Sequence, residues 1–325
     1  MKTESILEVN SLSCGFRDPD TKEVVNVLRD VSFDLPRQKI LGIVGESGCG
    51  KSVTMHTVMR LLPKTAVITA GEVRFEGKDL LTLNLDEMNQ YRGREIAMIF
   101  QEPMTSLNPV YKIGDQIAEM LMLHQNIGRR DALDEAVKKL ELVSIPAPQK
   151  IIDQYPHELS GGMRQRVMIA IAMACNPKIL IADEPTTALD VTIQAQILDL
   201  MKELKEKLHS SIILITHDLG VVAEMCDDVV VMYAGDVAEK ADVVSLFKEP
   251  KHPYTVGLMK SLPTLNTMDE RLYNIVGTVP CPADFPAGCR FAPRCEFADE
   301  RCHQSRPPLV RVGENHEVAC WLAAS

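Results

Sequence analysis

The sequence has no long hydrophobic run. Its longest uninterrupted apolar stretch is the nine residues of 167–175, whereas a membrane-spanning helix needs about 20. We therefore expect no segment that crosses a bilayer. The first eight residues carry acidic side chains where a signal peptide needs an apolar stretch, which predicts a cytoplasmic protein.

An excess of positive charge is also missing. Lys and Arg together number 35 against 45 Asp and Glu, a net charge of −10, which argues against an electrostatic grip on DNA, RNA or anionic lipid. We expect no nucleic-acid partner. Since no export signal is seen, the nine cysteines are not expected to form structural disulfides.

The clearest motif is a phosphate-binding loop, G-E-S-G-C-G-K-S, directly after the apolar run 40–44. Glycines in such a loop let backbone N–H groups point at phosphate oxygens, while Lys51 reaches the β- and γ-phosphates and Ser52 offers a hydroxyl to Mg²⁺. The apolar run before it and the helix-compatible segment 53–62 favour this interpretation over a chance glycine-rich turn. The candidate ligands are Gly45, Glu46, Ser47, Gly48, Cys49, Gly50, Lys51 and Ser52.

The flanking regions differ in the spacing of their apolar residues. Residues 6–38 alternate apolar and polar side chains around a turn signal at 18–20, which predicts antiparallel strands. Phe16 is a candidate for stacking on a nucleotide base, the alternative being a half-buried aromatic at a strand end. Apolar residues recur at helical spacing over 110–150, which predicts a helical insert.

A second anion site is predicted where a helix begins after Leu159. Ser160 is a candidate N-cap, and Gly161 and Gly162 open a helix that we expect to run to Ala174. A single nucleotide would not need two phosphate-binding helix ends in one place.

Polar residues follow three apolar strands. Asp183 and Glu184 end the run 179–184, where Asp183 is a candidate Mg²⁺ ligand and Glu184 a candidate base for the attacking water; acids that merely end a strand are the alternative. His217 follows the run 212–215, although a lone histidine is usually structural. Gln101 follows the run that ends at Phe100.

Taken together, these motifs resemble those of the ATP-binding subunit of an ABC transporter. The matching segments occur in the family's order: 45–52 as Walker A, Gln101 as the Q-loop, 159–166 as the signature, 179–184 as Walker B, 188–190 as the D-loop, and His217 as the switch histidine. Segments 100–109, 155–159 and 252–255 are similar to the dipeptide and oligopeptide importer branch.

The resemblance implies a fold and a division of the chain. The implied fold is an α/β P-loop NTPase (RecA-like) core with an antiparallel β-subdomain, an α-helical subdomain and a small Cys-rich C-terminal module. Residues 1–255 would form the nucleotide-binding domain, with the helical subdomain at about 103–160. Residues 256–325 would form the C-terminal module.

The resemblance also implies roles and partners. ATP would be held between Walker A of one protomer and the signature of another, either a copy or a related chain. The implied roles are adenine stacking by Phe16, sensing of Mg²⁺ and water by Gln101, Mg²⁺ binding by Ser52 and Asp183, base catalysis by Glu184, and γ-phosphate contact by His217, Ser160, Gly161 and Gly162. The helical insert would contact membrane permease subunits at the cytoplasmic face, and an extracytoplasmic solute-binding protein would take part indirectly.

Four cysteines in the tail predict a bound metal, because thiols gathered in this way would otherwise be an oxidation liability. They are Cys289, Cys295, Cys302 and Cys320, with Cys281 as a spare. Spacing leaves an iron–sulfur cluster, zinc or plain thiols open, and the resemblance favours a [4Fe–4S] cluster. Six prolines lie between 280 and 308, so we expect the tail to lack its own core and a bound centre to hold its loops.

The predicted function is ATP hydrolysis that energises import of peptides or a similar small solute. The alternatives are a cytosolic ABC ATPase, such as one for iron–sulfur assembly, and a regulator that binds ATP without turnover. Cys49 stands at a variable position of its motif. Its thiol pKa would fall beside Lys51 and a helix N-terminus, or the residue is a passive small side chain.

Overall fold

The computed structural model of the chain describes residues 4–101, 106–187, 189–262 and 273–324. Its strands, in chain order, are β1 (Ser5–Arg17), β2 (Val24–Pro36), β3 (Ile40–Val44), β4 (Ala66–Phe75), β5 (Lys78–Asp79), β6 (Ile96–Ile99), β7 (Ile179–Asp183), β8 (Ser211–Thr216), β9 (Asp228–Tyr233), β10 (Asp236–Asp242), β11 (Val310–Gly313) and β12 (His316–Val318). Part of the Q-loop segment, residues 102–105, and Ala188 of the D-loop lie outside the described residues.

The α-helices of the described ranges are α1 (Lys51–Val58), α2 (Leu85–Tyr91), α3 (Ile113–Gln125), α4 (Arg129–Leu142), α5 (Pro148–Ile151), α6 (Gly161–Ala172), α7 (Val191–Leu208), α8 (Leu219–Met225), α9 (Val243–Lys248), α10 (Pro253–Lys260) and α11 (Glu300–Gln304). None of these described helices combines the length and the apolar character that a membrane span requires. Two compact units contain these elements, one formed by residues from 1–82 and 215–325, the other by residues from 83–214.

The first unit contains the predicted antiparallel sheet, which is confirmed. Its strands lie in the order β2-β1-β4-β5, and each neighbouring pair is antiparallel. The turn between β1 and β2 forms because the Asp18 carboxylate accepts the N–H groups of Asp20 and Thr21 at 2.9 and 2.8 Å, the local bonding for which Asp is favoured in turns.

A second set of strands in the same unit leads into the phosphate-binding loop. All five residues of β3 are buried, as expected for a strand covered on both faces. It runs parallel to β9, which pairs antiparallel with β10, and β12 and β11 follow at the edge. The turn between β9 and β10 touches the loop, since the Gly235 N–H donates to the Cys49 carbonyl at 2.8 Å.

The second unit contains parallel strands and the helical insert. β6 and β7 are parallel, and β7 lies between β6 and β8. The prediction of helices within 110–150 is confirmed by α3, α4 and α5. The helix after the D-loop starts where its sequence indicates, because the Asp190 carboxylate caps α7 by accepting the Ile193 N–H at 2.9 Å.

One helix is shorter than its sequence suggested. The segment 53–62 was expected to stay helical, but α1 ends at Val58. The chain leaves the helix at Arg60, whose φ of 52° is left-handed. Pro63 follows, a residue that a continuing helix does not tolerate in its interior.

Candidate nucleotide-binding site

The loop that joins β3 to α1 has the backbone that a phosphate cradle needs. Gly45, Gly48 and Gly50 all have positive φ, of 150°, 80° and 99°, a region that other residues rarely adopt. At Gly45 a Cβ atom would lie 2.2 Å from the Met232 carbonyl oxygen. A side chain at this position is therefore excluded by space as well as by conformation.

Lys51 crosses the mouth of this loop. Its side chain is buried, and its ammonium donates to the carbonyl oxygens of Gly45 at 2.7 Å and Glu46 at 3.0 Å. A cation is thus held at the N-terminus of α1, where the helix dipole also favours an anion. Ser47 and Gly48 at the crest of the loop are exposed, so a phosphate has access to the cradle.

Two further predicted residues of this unit lie at strand ends. Phe16 is half-buried near the end of β1, opposite Val25 of β2 and Ala66 of β4. His217 is exposed and directly follows β8, one residue before the N-cap of α8. Ser52, the predicted Mg²⁺ ligand, is half-buried in the first turn of α1. The roles of these residues stay predictions.

Cys49 is a passive residue of the loop. Its side chain is buried, and burial raises its thiol pKa despite the nearby Lys51 ammonium, which acts in the opposite direction. The alternative of a lowered thiol pKa is therefore wrong. Desolvation disfavours the thiolate more than the Lys51 ammonium and the hydrogen bonds to Lys51 stabilise it.

The second unit brings Gln101 and Glu184 together. The Gln101 side-chain amide donates to Glu184 Oε2 at 2.9 Å, and the Thr187 hydroxyl donates to the same oxygen at 2.9 Å. Two donors therefore fix the orientation of the carboxylate predicted to be the base. Glu184 also has a φ of 46°, a strained conformation of the kind that is often found at functional sites.

Asp183 lies one residue earlier, as the last residue of β7, and is only 4% exposed. A carboxylate buried to this extent usually pairs with a cation or with hydrogen-bond donors. An acid at this position has the ligand chemistry that Mg²⁺ prefers.

The helix start at Ser160, the predicted second anion site, lies in this unit. Ser160 caps α6 by accepting the Met163 N–H at 3.3 Å. A Cβ atom on Gly161 would meet nothing within 4 Å, whereas one on Gly162 would approach Ile193 to 3.1 Å. The first turn therefore faces free space on the Gly161 side and packs on α7 at Gly162.

The structure adds residues to which the sequence motifs gave no role. The Gln165 side chain, 1% exposed, donates to the Pro185 carbonyl, which links the signature helix to the segment after Glu184. In the first unit, Arg294 and Tyr254 contact Glu46 of the phosphate-binding loop. Arg294 carries no periodic or glycine-rich signal, whereas Gln165 lay in the signature segment and Tyr254 in a segment noted for its resemblance.

The described residues do not support the predicted metal centre of the tail. Among them, no three His, Cys, Asp or Glu side chains are grouped as ligands of a metal ion. A neighbouring cysteine still influences three of the four thiols. Burial raises the pKa of Cys289 to about 11 and also raises the pKa values of Cys295 and Cys320, and the Cys302 thiol adds a smaller rise to each of the three.

Two family models match the chain. The model described as ABC transporter matches residues 28–187, and the model described as oligopeptide/dipeptide transporter, C-terminal region, matches residues 238–302. The first match covers the phosphate-binding loop, the signature and the acids Asp183 and Glu184. The second covers Glu239, Tyr254 and three of the four tail cysteines.

The chain has close relatives over nearly its whole length. It is 51% identical to the oligopeptide transport ATP-binding protein OppD of Bacillus subtilis, over 99% of this chain and 90% of that protein. It is 49% identical to OppD of Haemophilus influenzae, over 98% of each.

Solved ABC cassettes share the fold. A dimeric post-hydrolysis state of the ATP-binding cassette MJ0796, bound to ADP and Pi, matches with a TM-score of 0.65 and 25% identity, over 73% of this chain and 98% of that one. The cbiO1 protein of Clostridium perfringens matches with a TM-score of 0.64 and 25% identity, over 76% of this chain and 92% of that one. With two family models and full-length relatives in agreement, the chain belongs to the ABC transporter ATP-binding proteins, in the branch of the oligopeptide and dipeptide transporters.

Proposed function

We propose that the chain is the ATP-hydrolysing subunit of a membrane importer of dipeptides, oligopeptides or a similar small solute. It acts at the cytoplasmic face, bound to permease subunits, and a solute-binding protein outside the cell delivers the solute. The proposal rests on the orientation of Glu184, whose Oε2 accepts hydrogen bonds from the Gln101 amide and the Thr187 hydroxyl, each at 2.9 Å. A binding-only protein has no need of a carboxylate held in this way beside the Walker B aspartate.

Glu184 is the general base for in-line attack of water on the γ-phosphate. Its carboxylate accepts a proton from the water, and the Gln101 amide keeps one oxygen turned toward the attacking position. Lys51 neutralises phosphate charge as it develops, and His217 contacts the γ-phosphate. Mg²⁺, when bound by Ser52 and Asp183, supplies further neutralisation of that charge.

ATP is held between two protomers. The phosphate-binding loop and the open helix start at 160–162 are separate anion sites on one chain, which is expected when each serves a different nucleotide of a dimer. The second protomer is a copy of this chain or a related ATP-binding subunit. Phe16 stacks on the adenine from the protomer that supplies the loop.

The chain has two functional regions in this proposal. Residues 1–255 form the nucleotide-binding domain, with a helical subdomain at about 103–160 that docks on the permease. Residues 256–325 form a C-terminal module. Co-purification with a membrane permease supports the proposal, whereas association with soluble scaffold proteins alone favours the cytosolic alternative.

The base is tested by Glu184→Gln, which keeps the size of the side chain and removes its basicity. We expect ATP binding to persist and the rate of hydrolysis to fall below about a tenth of the original. Glu203→Gln is the matched control, because Glu203 is an exposed partner of Lys207 at 3.3 Å on α7. Equal turnover in both variants would rule out Glu184 as the base.

A [4Fe–4S] cluster on Cys289, Cys295, Cys302 and Cys320 is the finer part of the proposal, with zinc as its alternative. Support comes from Cys302, which is near enough to Cys289, Cys295 and Cys320 to raise the pKa of each. The test is iron, acid-labile sulfide and zinc content, with a visible spectrum, on full-length protein purified without oxygen. About four irons per chain support the cluster, one zinc supports the alternative, and neither metal refutes both.

A further inference from the structure

The guanidinium of Arg294 is buried and fully engaged on one side of the phosphate-binding loop. Its side chain is only 5% exposed. Nη1 donates to Glu46 Oε2 at 2.7 Å and Nη2 donates to Glu46 Oε1 at 3.1 Å. This is the two-pronged geometry in which Arg binds a carboxylate most strongly and with a defined orientation.

The remaining donors of Arg294 fix its position. Nε donates to the Val276 carbonyl at 2.9 Å, and Nη2 also donates to the carbonyls of Ile275 and Gly277 at 3.2 and 3.1 Å. Three consecutive carbonyl groups therefore hold the guanidinium. Arg294 directly precedes Cys295, so the tail that carries the cysteines also carries this contact to the loop.

The backbone of Glu46 is held as well. Its N–H donates to the Tyr254 hydroxyl at 2.8 Å. Tyr254 packs edge-on against Tyr233, whose hydroxyl accepts from Arg294 Nη1 at 3.3 Å. Phe291 contacts both tyrosine rings, at centroid distances of 5.4 and 5.0 Å. The side chain and the backbone of Glu46 are thus both held by one cluster, which consists of Arg294, Tyr254, Tyr233 and Phe291.

Glu46 needs this support because of where it stands. It is the second residue of the loop, and its carbonyl is one of the two that hold the Lys51 ammonium. Its carboxylate is a negative charge in a loop built to receive polyphosphate. A carboxylate without a counter-charge repels phosphate, and a shift of the Glu46 backbone removes an acceptor of Lys51.

We infer that Arg294 is a positioning residue of the nucleotide site: it neutralises Glu46 and holds the phosphate-binding loop in the form that accepts ATP. The C-terminal region is in this way part of the ATP site of its own protomer. The inference rests on the proposed function, since it assumes that this loop binds ATP.

The test is a double-mutant cycle on the full chain, read as the Kd for MgATP. Arg294→Met is expected to raise Kd about tenfold, which corresponds to about 1.4 kcal/mol. Glu46→Gln alone removes the charge of the side chain and keeps the loop backbone, so it is expected to raise Kd less than Arg294→Met does. In the double variant Kd is expected to return to within about threefold of the original, because no carboxylate remains to be neutralised.

Controls separate positioning from unfolding. Trp321 is the only tryptophan and lies in the tail, where its indole N–H donates to the Ser305 carbonyl at 3.3 Å, so an unchanged emission maximum shows an intact tail. If Arg294→Met shifts that maximum, Arg294→Gln replaces it in the cycle, since its amide still donates to backbone carbonyls without carrying charge. Arg311→Met, an exposed arginine of β11, is the matched control.

The outcomes are distinct. Weaker binding in the Arg294 variant, with recovery on Glu46→Gln, supports the inference. An unchanged Kd in the Arg294 variant, or additive losses in the double variant, overturns it. If the unaltered chain and Arg311→Met both fail to bind MgATP, the proposed function fails instead.

Discussion

Glu239 is expected to be one of the most costly positions to alter outside the ATP motifs. Its side chain is fully buried on β10. Oε1 accepts the Lys251 N–H at 2.7 Å and His316 Nε2 at 2.6 Å, and Oε2 accepts the His252 N–H at 2.9 Å. Because a carboxylate only accepts, His316 carries its proton on Nε2. One side chain therefore joins the segment before α10 to the C-terminal hairpin.

The substitution Glu239→Gln keeps the shape and changes the bonding. A glutamine offers one oxygen and one NH₂ group, yet both carboxylate oxygens of Glu239 receive donors. In either orientation the NH₂ group faces a buried N–H donor. A buried donor left unsatisfied costs about 1–3 kcal/mol, and weaker bonds to a neutral acceptor add to this, so we expect a loss of about 2–4 kcal/mol in the free energy of unfolding.

The assay is thermal unfolding followed by circular dichroism. At about 2–4 °C per kcal/mol for a unit of this size, the Tm should fall by about 5–15 °C. The matched control is Glu317→Gln on the neighbouring strand, where the carboxylate is 35% exposed and pairs with Lys240 at 3.0 Å. Such a surface pair contributes about 1 kcal/mol or less. Equal Tm values for the two variants would refute this reasoning.

Three further predictions follow. Burial lowers the pKa of folded His252 to about 4, whereas the unfolded imidazole titrates near 6.5, so acidification from pH 6.5 favours unfolding by about 2 kcal/mol at pH 5. His252→Asn keeps an acceptor for the helix cap. In this variant the free energy of unfolding, measured by urea denaturation, should change less between pH 7 and pH 5; an unchanged pH dependence contradicts this. Gly235→Ala puts a Cβ 1.7 Å from a carbonyl oxygen at a φ of 79°, whereas Gly77→Ala, at a φ of 82°, puts its Cβ in open space. Calorimetry should therefore show a larger loss of stability for Gly235→Ala, and equal losses contradict this. At pH 8, mass spectrometry after iodoacetamide treatment should find exposed Cys281 modified before buried Cys226, whose pKa burial raises to about 12; the opposite order contradicts this.

The local parts of the site could be predicted from the sequence because neighbouring residues determine them. Glycines at 45, 48 and 50 need positive φ values, and a run of apolar residues before them forms β3. Ser160 caps the helix that follows it, so the start of this helix could be predicted. Asp183 and Glu184 were identified by their position at the end of an apolar strand.

The partners of these residues could not be predicted in the same way. Arg294 and Glu46 are 248 positions apart, and His316 and Glu239 are 77 apart. A single charged residue in an irregular segment has no period, and many arginines are available for each carboxylate. Only the fold determines which of them meet. The effect of burial on Cys49 is of the same kind, since it depends on packing around the loop.

The attachment of the tail also depends on contacts between residues that are far apart in sequence. Its many prolines suggested that a bound centre must hold its loops. The structure provides another means of attachment: Arg29 of β2 donates to the carbonyls of Ala287 and Gly288 at 3.0 Å each, and Arg306 pairs with Asp30 at 2.7 Å. Together with Arg294 on the loop and the pairing of β12 with β10, these contacts dock the tail without the cysteines. Loss of a metal from the cysteines is therefore expected to leave the tail docked, because none of these contacts involves a thiol.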